Sequence, residues 1–305
     1  MTVSPIDIIH LGLRGVISSY WIDGPEPAIV DPGPSTSLDG LEDGLTELGV
    51  RFSDIRHILL THVHLDHAGG TGHLVSRLPD LEVHLHTDGV PHMADPERLV
   101  ASTRRTFGEA HDRLWGEVMP VSVDRIRPWE PERPLPVPGV RAFATPGHTA
   151  HHVSYLCEAD GTFVAGDALG VILAPGAPTH PPTPPPSVDV PAWLDTLHDL
   201  ESVDPEAFGV SHFGIHNGFA GRVVEMRERL SAFRDRVEAA LASGNDGDRD
   251  VYEREVREEI SAFRPRDEVD GYFDAFKAAG DWDGMRLYLE RANRAEEGSS
   301  AKSAD

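Results

Sequence analysis

Four residues with metal-binding side chains fall within six positions of the sequence: His62, His64, Asp66 and His67. They directly follow a mainly apolar run, residues 55–60, that is typical of a short β-strand. Alternate side chains of an extended segment share a side, so His62 and His64 can face one metal ion. Asp66 and His67 lie past the turn and can face another. Neutral imidazoles and carboxylates are ligands that suit zinc or a related first-row ion.

Three more candidate ligands follow apolar segments farther along the chain. They are His148 in Thr145-Pro-Gly-His-Thr149, Asp167 in Ala165-Gly-Asp-Ala168, and His212 in Ser211-His-Phe-Gly214. Layered α/β folds place functional groups at the ends of strands, so these residues can meet at one edge of a sheet. Added to the first four, they complete two sets of three to four ligands. The sequence therefore predicts a centre for two metal ions.

Two such ions would support hydrolysis. A water that bridges two divalent ions about 3.5–4 Å apart has a lowered pKa, so hydroxide exists near neutral pH. The hydroxide would attack a carbonyl or phosphoryl centre polarised by one ion, while the other stabilises the developing oxyanion. Asp66 is placed to orient the water and to accept its proton. Asp31 and Thr61 are candidates, on position alone, for the partners that orient the ligand imidazoles.

The order of these residues resembles that of the metallo-β-lactamase superfamily from residue 62 to residue 212. The matching residues are the run His62-x-His64-x-Asp66-His67 and then His148, Asp167 and His212. Asp31, in Ile29-Val-Asp-Pro-Gly33, is similar to the early Asp-Gly-type turn of that family. The resemblance implies an α/β fold of the αββα sandwich type, with metal ions at one edge.

The resemblance also implies two ligand sets and a bridging residue: His62, His64 and His148 for the first metal, Asp66, His67 and His212 for the second, and Asp167 for both. Two zinc ions are the implied cofactors, with iron or manganese as alternatives. The stretch from Thr145 to His152 and the run Gly166-Asp-Ala168 most resemble the glyoxalase II-like and lactonase-like branches. The implied activity is hydrolysis of a small ester, thioester or lactone.

Two departures from those branches narrow the substrate. Residues 169–191 are apolar and proline-rich, where hydrolases of glutathione thioesters carry a glycine- and aromatic-rich segment. No tyrosine closely follows Asp167, unlike the lactonases that act on quorum signals. An alternative enzyme of the same fold would hold one iron through His62, His148 and Asp167 and oxidise a persulfide. A metal-stabilised scaffold is a third hypothesis, which the complete ligand set and Asp66 disfavour.

The elements that must position these ligands form an α/β pattern. Strand-like runs alternate with helix-like segments through residue 170, which is typical of a layered domain. Residues 91–117 read as a helical excursion, and the prolines of 174–191 predict an extended loop. Four charged amphipathic helices follow Ala220. We predict a catalytic domain over residues 1–220, a packed helical extension over 221–297 and a disordered tail over 298–305.

The charge balance limits the partners. The formal net charge is -24, and Lys277 and Lys302 are the only lysines. So negative a chain repels nucleic acid and anionic membranes, and the composition is typical of proteins from halophilic organisms. No run is long and apolar enough for a membrane span, and residues 1–10 lack a secretory pattern. We therefore expect a cytoplasmic enzyme of a small-molecule substrate, with the C-terminal helices forming a cap or a homodimer surface.

The remaining reactive side chains carry weaker expectations. Cys157 is the only cysteine and is expected to be a buried, inert thiol. We expect His84 and His86 on a polar or solvent-exposed strand face, and His111, His180 and His198 on the surface. Two interpretations stay open for the other histidines: His151 and His152 lie near the ligands or on the surface, and His216 lies on the surface or in the substrate site. Met93, Phe107 and Trp115 belong to the core or to a lid over the site.

Overall fold

Two β-sheets make up the centre of the protein in the computed structural model, which describes residues 1–131 and 133–302, with side chains through residue 295. The first sheet has the order β1-β2-β3-β4-β5-β6 and the second β11-β10-β9-β8-β7. The strands are β1 Val3–Asp7, β2 Ser18–Ile22, β3 Ala28–Val30, β4 His57–Leu59, β5 Glu82–His86, β6 Ile126–Trp129, β7 Val140–Ala144, β8 Val153–Cys157, β9 Thr162–Gly166, β10 Ala207–Val210 and β11 Gly214–His216.

Helices occupy the connections between strands and the C-terminal third of the chain. They are α1 Leu38–Glu47, α2 Leu65–Ala68, α3 Thr71–Arg77, α4 Val90–Ala94, α5 Glu97–Phe107, α6 His111–Trp115, α7 Val190–Leu200, α8 Phe219–Ser243, α9 Asp248–Ser261, α10 Arg266–Ala275 and α11 Ala278–Lys302. The predicted excursion over residues 91–117 is helical, as α4, α5 and α6. No helix in the described part of the chain has the length and apolarity to cross a membrane.

The predicted αββα sandwich is confirmed by where the apolar side chains pack. One core cluster joins the facing sides of the two sheets, with Tyr20 and Leu59 from the first sheet and Tyr155 from the second. Cys157 is a free, buried thiol in this cluster, as expected. A second cluster covers the outer faces, where α1 contributes Leu41 and α7 contributes Trp193. Each sheet therefore buries both of its faces, one against the other sheet and one against helices.

The outer strands of the first sheet contain proline, which explains why the sequence did not reveal them clearly. β1 is an edge strand and contains Pro5; β6 is the opposite edge and contains Pro128. Proline cannot donate to a strand ladder, so it is tolerated at an edge and limits further pairing there. The extended run of β1 ends before Ile9 and Leu11, which both adopt positive φ.

The C-terminal helices pack on the sandwich through polar bonds as well as apolar contacts. Arg264 donates to the carbonyl oxygens of Gly15, at 2.6 Å, and Leu173, at 3.2 Å. Asp281, in α11, accepts from the backbone N–H of Thr183 at 2.7 Å and so holds the proline-rich loop. Helix α11 extends to Lys302. The disordered tail expected over 298–305 stays a prediction. Residues 303–305 lie outside the described part.

Three histidines assigned to the surface are buried instead. His84 lies on the face of β5 that the second sheet covers, and only His86 of that pair is partly exposed. His111 is covered by α5, where the hydroxyl of Thr103 lies 2.9 Å from its Nε2. His180 is enclosed beneath the C-terminal helices, with its Nε2 2.9 Å from Asp281 Oδ2. His198 is exposed, as predicted. The three corrections share one reason: long-range packing covers segments that look polar locally.

Gly40 tests the close approach of α1 to the first sheet. A Cβ at Gly40 would lie 2.1 Å from the carbonyl oxygen of Ile8, a backbone atom that cannot move without shifting the chain. We therefore expect Gly40→Ala to destabilise the protein by about 1–3 kcal/mol, the usual cost of overpacking. Urea unfolding measures the change. Gly221→Ala, in α8 with open space around the new methyl, is the control and should be neutral or slightly stabilising. Equal effects of the two changes would contradict the proposed contact.

Candidate metal centre

The predicted first ligand set converges at the carboxyl end of β4. His62 and His64 follow that strand, and His148 enters from the loop after β7. His62 Nε2 lies 2.9 Å from His64 Nδ1, and His148 Nε2 lies 3.0 Å from the same atom. Three imidazole nitrogens this close, from residues up to 86 positions apart, form one of the clusters that could hold a metal ion.

The predicted second set lies beside the first. Asp66 and His67 sit in α2, and His212 follows β10. Asp66 Oδ2 lies 3.4 Å from His67 Nε2 and 3.3 Å from His212 Nε2. These three side chains form another cluster of ligand atoms within metal-binding range of one another. The sandwich explains the meeting, because β4 of the first sheet and β10 of the second sheet both end at the edge where the two sets lie.

Asp167 lies between the two sets. Its Oδ2 is 3.4 Å from His148 Nε2 in the first set and 3.6 Å from His67 Nε2 in the second. Asp167 Oδ1 and His67 Nε2 are both buried, and neither has a hydrogen-bond partner among the described residues. Burying such atoms without a partner is costly, and a metal ion at this position would satisfy both. The donor set therefore fits divalent metal ions.

The outer nitrogens of the imidazoles are held in place by the surrounding chain. His148 Nδ1 donates to the carbonyl oxygen of Pro182 at 2.9 Å, and His212 Nδ1 donates to that of Val16, also at 2.9 Å. Both bonds leave the Nε2 lone pair free toward the centre, the arrangement that orients metal-binding histidines in proteins. The partners lie in distant parts of the sequence, so the proline-rich loop and the start of the chain both support the site.

Burial keeps the first set neutral. It lowers the pKa of His62 well below the usual value, and the nearby His67 and His64 rings add to the effect. Burial also lowers the pKa of His64 to about 3, with a further contribution from His148. At neutral pH these imidazoles are unprotonated, which is the form that binds a metal ion.

The second set lies in a negative electrostatic field. Burial would lower the pKa of His67, but the carboxylates of Asp66 and Asp167 outweigh it and raise that pKa well above its usual value. For Asp66, burial would raise the pKa, yet the imidazoles of His67 and His212 hold it well below the usual range. Asp66 is therefore ionised, and the field favours a positive charge that a metal ion can supply in place of the proton on His67.

The comparison with known proteins agrees with this geometry. The sequence profile of the Metallo-beta-lactamase superfamily matches residues 12–212, about two thirds of the chain. The chain belongs to the metallo-β-lactamase superfamily. It is thus a member of a family of metal-dependent hydrolases that use divalent ions.

Relatives of this superfamily match much of the chain at low identity. Probable metallo-hydrolase YybB of Bacillus subtilis is 26% identical over 206 residues, covering 67% of this chain and 84% of the relative. Atrochrysone carboxyl ACP thioesterase of Passalora fulva is 24% identical over 240 residues, covering 78% of this chain but only 60% of that protein. The crystal structure of the metallo-beta-lactamase family protein TTHA1429 from Thermus thermophilus has a TM-score of 0.67 and 23% identity, covering 97% and 93% of the two chains. That likeness supports the fold.

Asp31, in the early turn that resembles the superfamily's, is the hydrogen-bonding hub under the second set. Its Oδ1 accepts from the backbone N–H of Thr61 at 2.8 Å, and its Oδ2 accepts from the Thr61 hydroxyl at 2.6 Å. The same Oδ2 lies 2.9 Å from His67 Nδ1. The residue has a φ of 51°, a left-handed conformation that aspartate tolerates better than most side chains. Asp31 therefore fixes both the end of β4 and the orientation of His67.

His152, for which the sequence left two interpretations open, is buried beside the ligands. Its Nδ1 lies 2.7 Å from the hydroxyl of Thr145, and its Nε2 accepts from the backbone N–H of Asp167 at 3.1 Å. A methyl group at Gly166, which has a φ of 61°, would lie 2.7 Å from His152 Nε2. His152 thus holds the backbone of Asp167 in place without being part of either ligand set. Nothing in the local sequence distinguishes it from its neighbour His151.

A cavity of about 640 Å³ opens onto the ligand sets. His64 and Asp66 are the partly exposed members of the sets, so they face the cavity. Its apolar wall includes Phe107 and Trp115 from the helical excursion and Phe276 from the C-terminal region. Trp115 is also buried in the core, so it belongs both to the core and to the wall of the cavity, the two alternatives considered for it. Met93 is a core residue.

The two remaining candidate histidines differ in their positions. His151 lines the cavity, and its Nε2 accepts from the backbone N–H of Val63 at 3.2 Å. His216 is not among the cavity-lining residues. Its Nε2 donates to the carbonyl oxygen of Phe213 at 2.8 Å, and its ring packs on Phe208. In the pairing of β11 with β10, His216 lies opposite Phe208. The suggestion that His216 reaches the substrate stays a prediction.

Asp31→Asn tests the support of His67. The amide loses the negative charge and one of the acceptor oxygens, so we expect metal affinity to fall about 10- to 100-fold, the usual effect of removing such a partner. Competition of the loaded protein with a chelator of known affinity measures the change. Asp54→Asn removes an exposed carboxylate that bonds Arg51 and serves as the control. Chelator resistance that is the same in Asp31→Asn and wild-type protein would contradict the assigned role.

Proposed function

We propose that this protein is a dinuclear zinc hydrolase of a small ester, thioester or lactone. The observation that carries the proposal is the position of Asp167 between two complete sets of ligand atoms. Two bound ions would supply a hydroxide at neutral pH and polarise the carbonyl of the substrate. Zinc suits a mixture of imidazole and carboxylate ligands without a cysteine.

Asp66 is the residue proposed to handle the proton. It is ionised, it is partly exposed to the cavity, and its Oδ2 already lies within 3.4 Å of two imidazoles in the second set. A carboxylate in that position can orient the attacking water and accept its proton while remaining close to the ion. His64, the other partly exposed ligand, belongs to the first set and would face the substrate carbonyl.

The cavity supports a small acyl substrate. Its apolar wall of Leu99, Phe107, Trp115 and Phe276 would exclude water from the reacting carbonyl and strengthen electrostatic interactions there. The thioesterase relative from Passalora fulva is named for the cleavage of a thioester, which adds weight to that class. The resemblance of the segment 145–152 to glyoxalase II-like and lactonase-like enzymes points to the same group of acyl bonds.

The completeness of the second set separates this proposal from the one-iron alternative. A single iron held by His62, His148 and Asp167 would leave Asp66, His67 and His212 without a task, although all three converge within metal-binding range. Production of sulfite from a persulfide by protein that contains iron alone would favour the alternative.

Asp66→Asn tests the proposed proton acceptor. The amide keeps the shape of the side chain but cannot accept the proton, so we expect kcat for the best acyl substrate to fall about 10²- to 10⁴-fold. The substrate is found with a panel of ester, thioester, lactone and phosphodiester compounds, assayed in low and high salt. Metal content is measured on the same samples, to separate loss of chemistry from loss of metal.

Asp88→Asn is the matched control, since Asp88 is an exposed carboxylate near His86 and lies outside the ligand sets. We expect it to keep wild-type activity. Full activity of Asp66→Asn at unchanged metal content would sink the assignment of Asp66, and absence of any hydrolysis across the panel by metal-loaded wild-type protein would sink the proposed class.

A further inference from the structure

A second group of potential ligands lies at the opposite end of the first sheet from the candidate centre. His57 begins β4 and Glu82 begins β5, and the two residues are paired in register in the sheet. His84 lies two positions after Glu82 and therefore shares its face of the strand. His57 and Glu82 are at the amino ends of strands whose carboxyl ends lead toward His62, and His84 lies in the middle of β5. None of the three lines the substrate cavity.

The three side chains surround a common point. His57 Nδ1 lies 2.9 Å from His84 Nε2, and Glu82 Oε2 lies 3.8 Å from the first nitrogen and 3.9 Å from the second. The last two distances are too long for hydrogen bonds. A point equidistant from three atoms with these separations lies about 2.1 Å from each, which matches the zinc–nitrogen and zinc–oxygen distances of about 2.0–2.2 Å in proteins.

Two charged residues hold this group in position. Glu26 Oε2 lies 3.3 Å from His57 Nε2, so a carboxylate faces the outer nitrogen while Nδ1 faces the common point. Such carboxylate–histidine pairs orient imidazoles for metal binding. Arg127 donates to Glu82 Oε1 from Nε at 3.0 Å and from Nη2 at 2.6 Å. These two hydrogen bonds from the guanidinium group occupy Oε1 of Glu82, and Oε2 is the oxygen nearest the imidazoles.

Burial differs among the three side chains. His84 is fully buried between the sheets and His57 is nearly so, whereas Glu82 is partly exposed. Burial lowers the pKa of His84 to about 3, with smaller contributions from His57 and Arg127. The partial exposure of Glu82 gives an ion a path to the group and room for a water as fourth ligand.

We propose that His57, Glu82 and His84 bind a zinc-like divalent ion that ties β4 to β5 at the end of the sheet remote from the hydrolytic centre. An ion that binds the folded chain and not the unfolded chain stabilises the fold. The site is independent of the proposed hydrolysis, because its ligands share no atoms with the two catalytic sets. The rival is a hydrogen bond between His57 and His84 with no ion.

Counting zinc ions in Glu82→Gln tests the site. Full-length wild-type and variant proteins are loaded with zinc, freed of excess ion and weighed by native mass spectrometry. We expect the wild type to carry one zinc ion more per chain than the variant, with unchanged hydrolytic activity in the variant. Addition of zinc should also raise the thermal midpoint of the wild type more than that of Glu82→Gln.

Glu130→Gln is the control, because it removes a partly exposed glutamate that pairs with an arginine, Arg133, away from the histidine pair. It should keep the wild-type zinc count. His57→Gln provides a second ligand change, and it should match Glu82→Gln. Zinc counts that are the same in wild type and Glu82→Gln overturn the proposal. That result would not bear on the proposed hydrolytic centre, because the ions of that centre contribute equally to the count of both proteins.

Discussion

The bond between Asp31 and His67 is the interaction on which the candidate centre depends. Asp31 is a buried carboxylate, and such a group is tolerated only when donors or positive charge satisfy it. Two donor groups of Thr61 and one imidazole nitrogen meet it. Through Thr61 it fixes the end of β4, and through His67 it fixes the second ligand set. A single carboxylate thus couples the folding of the first sheet to the geometry of the centre.

The rest of the ligand geometry follows from a sandwich that brings distant chain segments to one edge. His148 and His212 are each held by a backbone carbonyl, from Pro182 and Val16 respectively. A carbonyl can orient an imidazole only if the whole segment that carries it is well placed. The C-terminal helices secure those segments, since Arg264 bonds Gly15, next to Val16, and Asp281 bonds Thr183, next to Pro182. The helical extension is therefore part of the support of the centre as well as of the cavity wall.

The sequence could single out candidate ligand residues because the chemistry of metal binding restricts the residue types. His62, His64, Asp66 and His67 are close in sequence, and the later three ligands follow β7, β9 and β10 of the second sheet, which end at the same edge of the sandwich. Strands are easiest to predict where apolar runs are bounded by turns, as in β3 and β8. The edge strands β1 and β6 are harder to predict, because each contains a proline, which is atypical of strands but tolerated at the edge of a sheet.

Long-range packing was what the sequence could not reveal. His84, His111 and His180 carry polar side chains that local sequence assigns to the surface, yet distant segments cover them. His152 acts on the backbone of Asp167, a contact that no local pattern encodes. Asp31 was proposed as an orienting partner on position alone, and only the structure joins it to both Thr61 and His67. The halophilic origin stays a prediction, since the acidic, lysine-poor composition from which it is inferred describes the surface and not the fold.

Anomalous X-ray diffraction from zinc-loaded crystals tests the two-ion centre most directly. Data collected on both sides of the zinc edge locate each ion independently of the protein atoms. We expect two peaks about 3.5–4 Å apart, the spacing of two-metal hydrolytic sites, one beside His62, His64 and His148 and one beside Asp66, His67 and His212, with Asp167 between them. A single peak at this edge of the sheets, or none, would contradict the account.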